Sequence, residues 1–145
     1  MIQTEPIEIL LVEDSPGDVE LIQHGLRRSK LCSKLHVVSD GEEAMKHLES
    51  RSVGPDNKRP DLVLLDIHLP RMNGHEVLRK IRENQRLHTI PVVILTTSDH
   101  EDDVMNAYNE RANAYIQKPN DAAAFIDTIH SIDDFWLSMV KLRQQ

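Results

Sequence analysis

The acidic residue Asp66 ends a run of four apolar residues, 62–65, and Pro70 follows it closely. A run without alternation is typical of a strand that is covered on both faces, as in a parallel sheet. Pro70 cannot continue a β-ladder, so the chain must turn just beyond the carboxylate. Because a charge beside an apolar strand costs free energy unless something compensates it, this placement indicates a chemical role for Asp66.

Four further residues with reactive side chains also follow short apolar runs: Glu13, Asp14, Thr96 and Lys118. Three carboxylates in one cleft would repel one another and raise one another's affinity for protons. A hard divalent cation with oxygen ligands and open water positions resolves this repulsion, and Mg²⁺ suits such a site. With the cleft neutralised, a phosphoryl group can approach Asp66, whose carboxylate is a competent nucleophile. The hydroxyl and the amine would then bind phosphoryl oxygens, which completes the parts needed for phosphoryl transfer to an aspartate.

Five strands must carry these residues to one edge of a sheet. Apolar runs predict strands at 7–12, 34–38, 61–65, 91–95 and 114–117. Between and after them, apolar residues at helical spacing predict helices over 16–29, 42–50, 75–84, 101–109 and 121–142. This alternation favours an α/β fold, a parallel sheet with helices on both faces. Right-handed crossovers favour the flavodoxin-like strand order 2-1-3-4-5, in which ligands bind beyond the carboxyl ends of the strands.

The first helix has a strong start signal. Ser15 can cap the helix, Pro16 suits its first position, and Asp18 stands where the acid of a capping box belongs. In a capping box that acid reaches back to the backbone N–H of the capping residue. Asp18 is therefore interpreted as part of the helix start.

Length and composition bound the possible classes of protein. The chain has 145 residues, enough for about one domain with a real core, and its formal net charge of −7 argues against a nucleic-acid partner. The single cysteine, Cys32, fits a reducing compartment, and no apolar run approaches the roughly 20 residues of a membrane span. We therefore expect one cytoplasmic domain with no membrane segment. Its core would cover about 7–130, with an extended C-terminal helix to about 142 and no output domain.

Five short motifs together resemble those of the receiver domains of two-component response regulators: Leu11-Val12-Glu13-Asp14-Ser15, Leu65-Asp66, Pro70 with Gly74, Leu95-Thr96 and Lys118-Pro119. The motifs match in order and in spacing, and the resemblance runs from about Ile7 to the C-terminus. It implies the flavodoxin-like (CheY-like) form of the α/β fold. It also implies a sensor histidine kinase as the partner that donates the phosphoryl group.

The resemblance implies a metal site around the phosphoacceptor. Asp66 would accept the phosphoryl group, and Mg²⁺ would be bound by Asp14, Asp66 and the backbone carbonyl of His68. Glu13 completes the acidic pocket, either as a direct ligand or through water. Transfer to and from the aspartate is self-catalysed in such domains, so we do not expect the chain to be an enzyme.

Three further roles follow from the same resemblance. Thr96 is the switch hydroxyl, Tyr115 is the switch aromatic, and Lys118 neutralises a phosphoryl oxygen. The peptide bond between Lys118 and Pro119 is expected to be cis. Phosphorylation would add charge to the cleft and draw the hydroxyl toward it, which biases a two-state surface that includes Tyr115. The alternative for Tyr115 is that it simply covers the sheet.

Within this family, two features of the sequence resemble a narrower group, the small cyanobacterial-type response regulators that partner phytochrome histidine kinases. They are the long polar loop at 51–60 and the terminal residues 134–137. They imply a phytochrome-type kinase as partner, with output through protein–protein contacts or onward phosphotransfer. Relatives of this group also occur beside other sensor kinases, so the kinase itself stays open.

His68 departs from the small or polar residues that are usual in the family two positions past the phosphoacceptor. In the family this position lies over the phosphoryl group, together with the position that Ser98 holds here. We expect His68 and Ser98 to tune how fast water removes the phosphoryl group, unless His68 contributes only its carbonyl. Thr97 is β-branched where a small residue is common, and it would narrow access to the cleft.

The final helix carries more apolar surface than a five-stranded sheet needs to bury. A helix of about 20 residues spans roughly 30 Å, against roughly 17–20 Å for a typical strand. Phe135 and Trp136 would then lie past the sheet edge, where exposed aromatic residues usually mark an interface. We expect a homodimer contact there, helped by the fourth helix and the last strand, unless the helix folds back and buries both rings.

Three alternative functions remain open. A receiver domain that signals only by docking would keep the pocket without using it. A haloacid-dehalogenase-like phosphatase would need a second Asp two residues after the nucleophile of its first strand, whereas Ser15 and Pro16 follow Asp14. A flavodoxin-like FMN-binding protein would need a phosphate loop after that strand, where Glu13 and Asp14 would repel a phosphate.

Overall fold

A computed structural model describes residues 6–28, 33–51, 59–97 and 100–132 of the protein. Its strands are β1 (Ile7–Val12), β2 (Ser33–Val38), β3 (Leu62–Leu65), β4 (Val92–Thr96) and β5 (Ala114–Gln117). They form one parallel sheet in the order β2-β1-β3-β4-β5. The predicted flavodoxin-like α/β fold and its strand order are confirmed.

Helices alternate with the strands as predicted. They are α1 (Pro16–Arg27), α2 (Gly41–Arg51), α3 (Gly74–Glu83), α4 (Glu101–Asn109) and α5, of which the described part is 122–132. The rest of the predicted final helix, with Phe135 and Trp136, lies outside the described residues, and so do Ser98 and most of the polar loop at 51–60. Among the described helices, none is both long and apolar enough to cross a membrane.

The central strands bury both faces, which is why their sequences show apolar runs rather than alternation. Successive side chains of a strand point to opposite faces, so β1, β3 and β4 each contribute to two cores. One core lies between the sheet and the helices α2, α3 and α4, and the other lies between the sheet and the helices α1 and α5. The carboxyl ends of the strands are therefore held between two packed layers.

Two glycines allow the loop between β3 and α3 to pack closely. A Cβ atom at Gly74 would overlap the carbonyl oxygen of Asp66, and a Cβ atom at Gly41 would overlap that of Met72. The Gly74 N–H also donates to the Ile67 carbonyl at 2.8 Å. Only a residue without a side chain fits either position, so the chain beyond Asp66 is packed backbone against backbone.

Arg82, near the end of α3, is buried beside the amino ends of β4 and β5. This is the end of the sheet opposite to the carboxyl ends of the strands, where Asp66 lies. Its guanidinium donates to the carbonyl oxygens of Arg111 (3.0 and 2.8 Å), His88 (3.0 Å) and Ile90 (2.7 Å), and to Asn113 Oδ1 (2.9 Å). Burial lowers the pKa of Arg82, and the nearby charge of Arg111 lowers it further. We refer to this arrangement as the Arg82 anchor.

Candidate functional site

The structure brings four of the predicted site residues together at the carboxyl ends of the strands: Glu13, Asp14, Asp66 and Lys118. Val12 pairs with Leu65 in the register of β1 and β3, so the residues that follow them, Glu13 and Asp66, lie side by side. The Asp66 N–H donates to the Val12 carbonyl at 3.1 Å, which extends the ladder to the phosphoacceptor predicted from the sequence. Lys118 follows β5, and its N–H donates to the Thr96 carbonyl at 2.7 Å.

Lys118 points its ammonium group into the acidic pocket. Its Nζ atom donates to Glu13 Oε1, to Asp18 Oδ2 at 2.8 Å and to Asp66 Oδ2 at 3.3 Å. Burial by itself lowers the pKa of Lys118, but the bonds to Asp18 and Glu13 and the charge of Asp66 outweigh burial and raise this pKa above its ordinary value. The lysine is therefore charged in the resting site.

Glu13 is almost fully buried, and its two oxygens have different donors. Oε1 accepts from Lys118, and Oε2 accepts from the Ser15 N–H at 3.2 Å. Burial, reinforced by the charge of Asp66, raises the pKa of Glu13 from 4.5 to about 7, against the opposing effect of the bond from Lys118. Burial is the larger cause of the Glu13 shift and the charge of Asp66 adds to it, so the metal-free pocket disfavours the charged form of Glu13.

Glu13, Asp14 and Asp66 form a cluster that suits a divalent cation. Each offers one carboxylate oxygen, and these oxygens lie within 4.8 Å of one another. Oxygen donors with formal negative charge are the ligands that hard divalent cations prefer. Asp14 is exposed, so one side of the cluster faces solvent, from which water ligands can come. The donor set thus fits a divalent cation, as the sequence predicts.

Asp66 uses both carboxylate oxygens within the pocket. Oδ2 accepts from Lys118, and Oδ1 accepts from the backbone N–H of His68 at 3.3 Å. The loop that begins at His68 therefore orients the carboxylate through its backbone. The role of the His68 carbonyl as a metal ligand stays a prediction.

Thr96 and Tyr115 lie on the same face of the sheet. Thr96 is fully buried at the end of β4, and Tyr115 pairs with Ile94, two residues earlier on that strand. Since side chains two residues apart on a strand share a face, Thr96 points to the side on which Tyr115 packs against the core. The two residues therefore share one face of the sheet, and their role as a switch pair stays a prediction.

The peptide bond between Lys118 and Pro119 is trans, like every other peptide bond of the described residues. The cis bond that the family resemblance implies is therefore wrong for this structure. The trans form is intrinsically favoured before proline by about 0.5–1 kcal/mol. With this bond trans, Lys118 reaches all three of its acidic partners.

The prediction of a capping box at α1 is only half right. Ser15 Oγ accepts from the Asp18 N–H at 3.3 Å, as a capping residue should. The N–H of Ser15, however, donates to Glu13, and the carboxylate of Asp18 binds Lys118. A buried ammonium is a stronger partner for a carboxylate than a backbone N–H, because both groups carry charge.

The structure also shows a contact that the sequence did not predict, between α4 and the segment that follows β3. Asp103 lies 3.3 Å from Nε2 of His75 and 4.0 Å from Nε2 of His68. No periodicity links these residues, since they belong to three different segments. The signal available in the sequence was only that two histidines flank the predicted loop.

Comparison with known proteins decides the family. Residues 9–130 match the family model described as the response regulator receiver domain. The chain belongs to this family. Response regulator Rcp1 of Synechocystis sp. is 41% identical to it over 137 residues, which cover 94% of this chain and 93% of Rcp1.

Solved structures of similar proteins agree with this assignment. The phosphorylated cyanobacterial phytochrome response regulator RcpA superposes with a TM-score of 0.85 at 40% identity, covering 93% of this receiver domain's chain and 96% of its own. The Mn²⁺-bound form of Rcp1 gives a TM-score of 0.83 at 41% identity, covering 91% and 95%. The predicted family, and with it the expected resemblance to phytochrome-associated response regulators, is confirmed.

Proposed function

We propose that this receiver domain accepts a phosphoryl group on Asp66 from a sensor histidine kinase and signals through protein–protein contacts. One observation carries the proposal. The Asp66 carboxylate ends a central strand with a charged lysine on one oxygen and an acidic cation site beside it. A nucleophile, a positive charge for phosphoryl oxygens and a place for a metal are thus within one pocket.

In the proposed reaction, an oxygen of the Asp66 carboxylate forms a bond to phosphorus. The bond between phosphorus and the imidazole nitrogen of the donor breaks, and its electron pair returns to that nitrogen. Lys118 holds its charge beside the carboxylate and donates a hydrogen bond to a phosphoryl oxygen as the group arrives. Because the acceptor is the domain's own side chain, we propose that the protein is not an enzyme.

The cation of this site is proposed to be Mg²⁺. Glu13, Asp14 and Asp66 would hold it, with the predicted carbonyl of His68. When bound, such an ion neutralises carboxylate and phosphoryl oxygens. Oxygen ligands and an exposed side for water support Mg²⁺, and the Mn²⁺-bound form of the similar Rcp1 supports a divalent ion in this family.

The readout of phosphorylation is proposed to pass through Thr96 and Tyr115. Both lie on one face of the sheet, on the side of α4, and Tyr115 is only partly buried. A phosphoryl group that draws the threonine hydroxyl toward Asp66 would empty space on this face, which the tyrosine ring can fill. Added charge at one point then changes the shape of an exposed surface.

A phytochrome-type histidine kinase is proposed as the partner. The support is the similarity to RcpA, which is a cyanobacterial phytochrome response regulator, over 93% of the chain. The single cysteine supports a reducing compartment, and we propose a cytoplasmic location. We likewise propose that neither a nucleic acid nor a membrane takes part, which the net charge of −7 supports for nucleic acid.

We also propose a homodimer through Phe135 and Trp136, with α4 and β5 contributing to the contact. Met105 and Tyr108 on α4 support it, since their exposed fractions are 56% and 53%. Sedimentation of the wild type and of Trp136→Ala at micromolar concentration tests the proposal. We expect a dimer for the wild type and a monomer for the variant, and a monomer in both cases would rule the dimer out.

Labelling by acetyl phosphate in Mg²⁺ tests the central proposal. We expect the wild type to acquire acid-stable, base-labile phosphate and Asp66→Asn to acquire none. Asp127→Asn, which removes the same charge from an exposed position on α5, should be labelled like the wild type. Equal labelling of wild type and Asp66→Asn would refute phosphorylation at this residue, and a wild type without label would favour a domain that acts by docking alone.

A further inference from the structure

Asp18 lies in the first turn of α1, outside the set of residues predicted for the site. Its carboxylate is nevertheless 2.8 Å from Lys118 Nζ, a residue 100 positions further along the chain. Its side chain is 28% exposed, whereas that of Lys118 is 3% exposed. Asp18 thus reaches from the helix surface into the pocket and contacts the lysine there.

The ammonium group of Lys118 has three N–H donors, and it has three acceptors. Two of the bonds, to Glu13 and Asp18, go to the α1 side of the pocket, and the third goes to Asp66. The bond to Asp66 is the longest of the three, at 3.3 Å. With two donors fixed, the direction of the third is set, and it points at the carboxylate that the phosphoryl group must join.

We propose that Asp18 is a positioning residue for phosphorylation, because it fixes the Lys118 ammonium so that one N–H is directed at the phosphoacceptor. The proposal rests on the proposed function of Asp66. When the phosphoryl group arrives, one of its oxygens replaces the Asp66 oxygen as acceptor of the third N–H. Glu13 and Asp18 keep the other two, so the lysine does not have to move to a new place.

In this proposal Asp18 acts on Lys118 and not on the divalent cation. The three acids whose oxygens lie within 4.8 Å of one another are Glu13, Asp14 and Asp66, and Asp18 is not among them. Its contribution to the helix is separate as well, since the cap is formed by its backbone N–H and Ser15 Oγ. A substitution that keeps the backbone and removes the charge therefore isolates the contact with Lys118.

The test compares Asp18→Asn with the wild type in two measurements. The maximal rate of labelling by acetyl phosphate at saturating Mg²⁺ should fall about tenfold, because a bond between two charged groups is replaced by a weaker one. Mg²⁺ affinity from calorimetric titration should stay within about twofold, since the cation cluster is intact. A merely structural role would not separate these two readouts.

Two further variants complete the design. Glu20→Gln removes one negative charge from an exposed position two residues further along α1, and it should be labelled at the wild-type rate. Asp18→Glu keeps the charge and should recover most of the rate that Asp18→Asn loses.

The outcomes separate the two proposals. If the wild type acquires no label that depends on Asp66, the proposed function fails and the role of Asp18 fails with it. If the wild type is labelled at Asp66 and Asp18→Asn is labelled equally fast, only the positioning role is overturned. The role is also overturned if Glu20→Gln slows labelling as much, or if Asp18→Asn loses Mg²⁺ affinity in proportion to its rate.

Discussion

Lys118 and Arg82 are both buried cations, and they lie at opposite ends of the parallel strands, Lys118 at the carboxyl ends and Arg82 at the amino ends. At the carboxyl ends of the strands, the Lys118 ammonium contacts three carboxylates among the described residues, and with Asp14 the pocket holds four acids for this ammonium. At the amino ends of the strands, every partner of Arg82 within the described part of the chain is a carbonyl or amide oxygen. One end has surplus negative charge, and the other satisfies a positive charge with neutral dipoles.

The difference teaches what each end can do. Surplus carboxylates make a site whose energy changes when a proton, a cation or a phosphoryl group enters it. A guanidinium surrounded by neutral acceptors has no partner charge to exchange, so it fixes the segments that supply those acceptors. The acidic pocket therefore suits a site that responds to the binding of a charged group. The Arg82 anchor suits a permanent connection between α3, β4 and β5.

Replacing the anchor should have the largest effect on stability. Arg82→Met removes the side-chain donor from the buried carbonyl oxygen of Ile90 and from the partly buried ones of His88 and Arg111, and we expect it to lower the free energy of unfolding by about 3 kcal/mol. Urea denaturation measures this. Arg79→Met, at an exposed position of the same helix, is the control and should change little. A loss below about 1 kcal/mol would show that the anchor is not structural.

Glu13 should make the stability of the metal-free protein depend on pH. Its pKa is about 7 in the folded protein against an ordinary value of 4.5, so the folded protein keeps a proton that the unfolded chain releases. Its destabilising effect therefore appears as pH rises from 4.5 and is complete above about 7. Between pH 5 and pH 8, the wild type should lose about 2 to 3 kcal/mol relative to Glu13→Gln.

Urea denaturation in the presence of a chelator, at several pH values, measures this difference. The two proteins should be similar near pH 5 and should diverge toward pH 8. Parallel curves for the two proteins would mean that the pocket does not hold Glu13 protonated.

Adding Mg²⁺ should have a smaller stabilising effect, and only at the acidic pocket. At a concentration tenfold above the dissociation constant, binding adds about 1.4 kcal/mol to the free energy of unfolding. Asp14→Asn should abolish most of this gain, because it removes one of the clustered oxygens. Arg82→Lys should retain it, since the anchor is at the other end of the strands. A gain that survives in Asp14→Asn would place the cation elsewhere.

The smallest expected effect concerns the lifetime of the phosphorylated state. The side chain of His68 is 61% exposed beside the pocket and lies 4.0 Å from Asp103. Removing its ring in His68→Ala opens access for water, so we expect dephosphorylation to become about threefold faster. His88→Ala, at another exposed histidine, should leave the lifetime unchanged. An unchanged lifetime in His68→Ala would restrict this residue to its backbone role.

Much of the fold and of the site could be predicted because the signals were local. Strands buried on both faces require apolar runs, and the residues that end those runs lie together once the strands are parallel. This reasoning located Glu13, Asp66 and Lys118 correctly. The same reasoning could not place Asp18, because a helix-start pattern does not reveal a partner 100 residues away.

The remaining differences have similar physical reasons. The contact of Asp103 with two histidines arises from packing between a loop and two helices, and no sequence period encodes it. The Arg82 anchor was also missed, since an arginine on a helix normally indicates an exposed face. Its acceptors are backbone carbonyls, which any sequence supplies and which only the tertiary structure brings together.

The close packing at Gly41 and Gly74 has a mechanical consequence for the pocket. Neither position has room for a single methyl group against the backbone of the loop between β3 and α3. That loop cannot shift toward α2 or toward the start of α3 without a collision. The backbone beyond Asp66 therefore has little room to move in these directions, and we expect a rearrangement caused by a new charge on the other side of the pocket, where Thr96 ends β4.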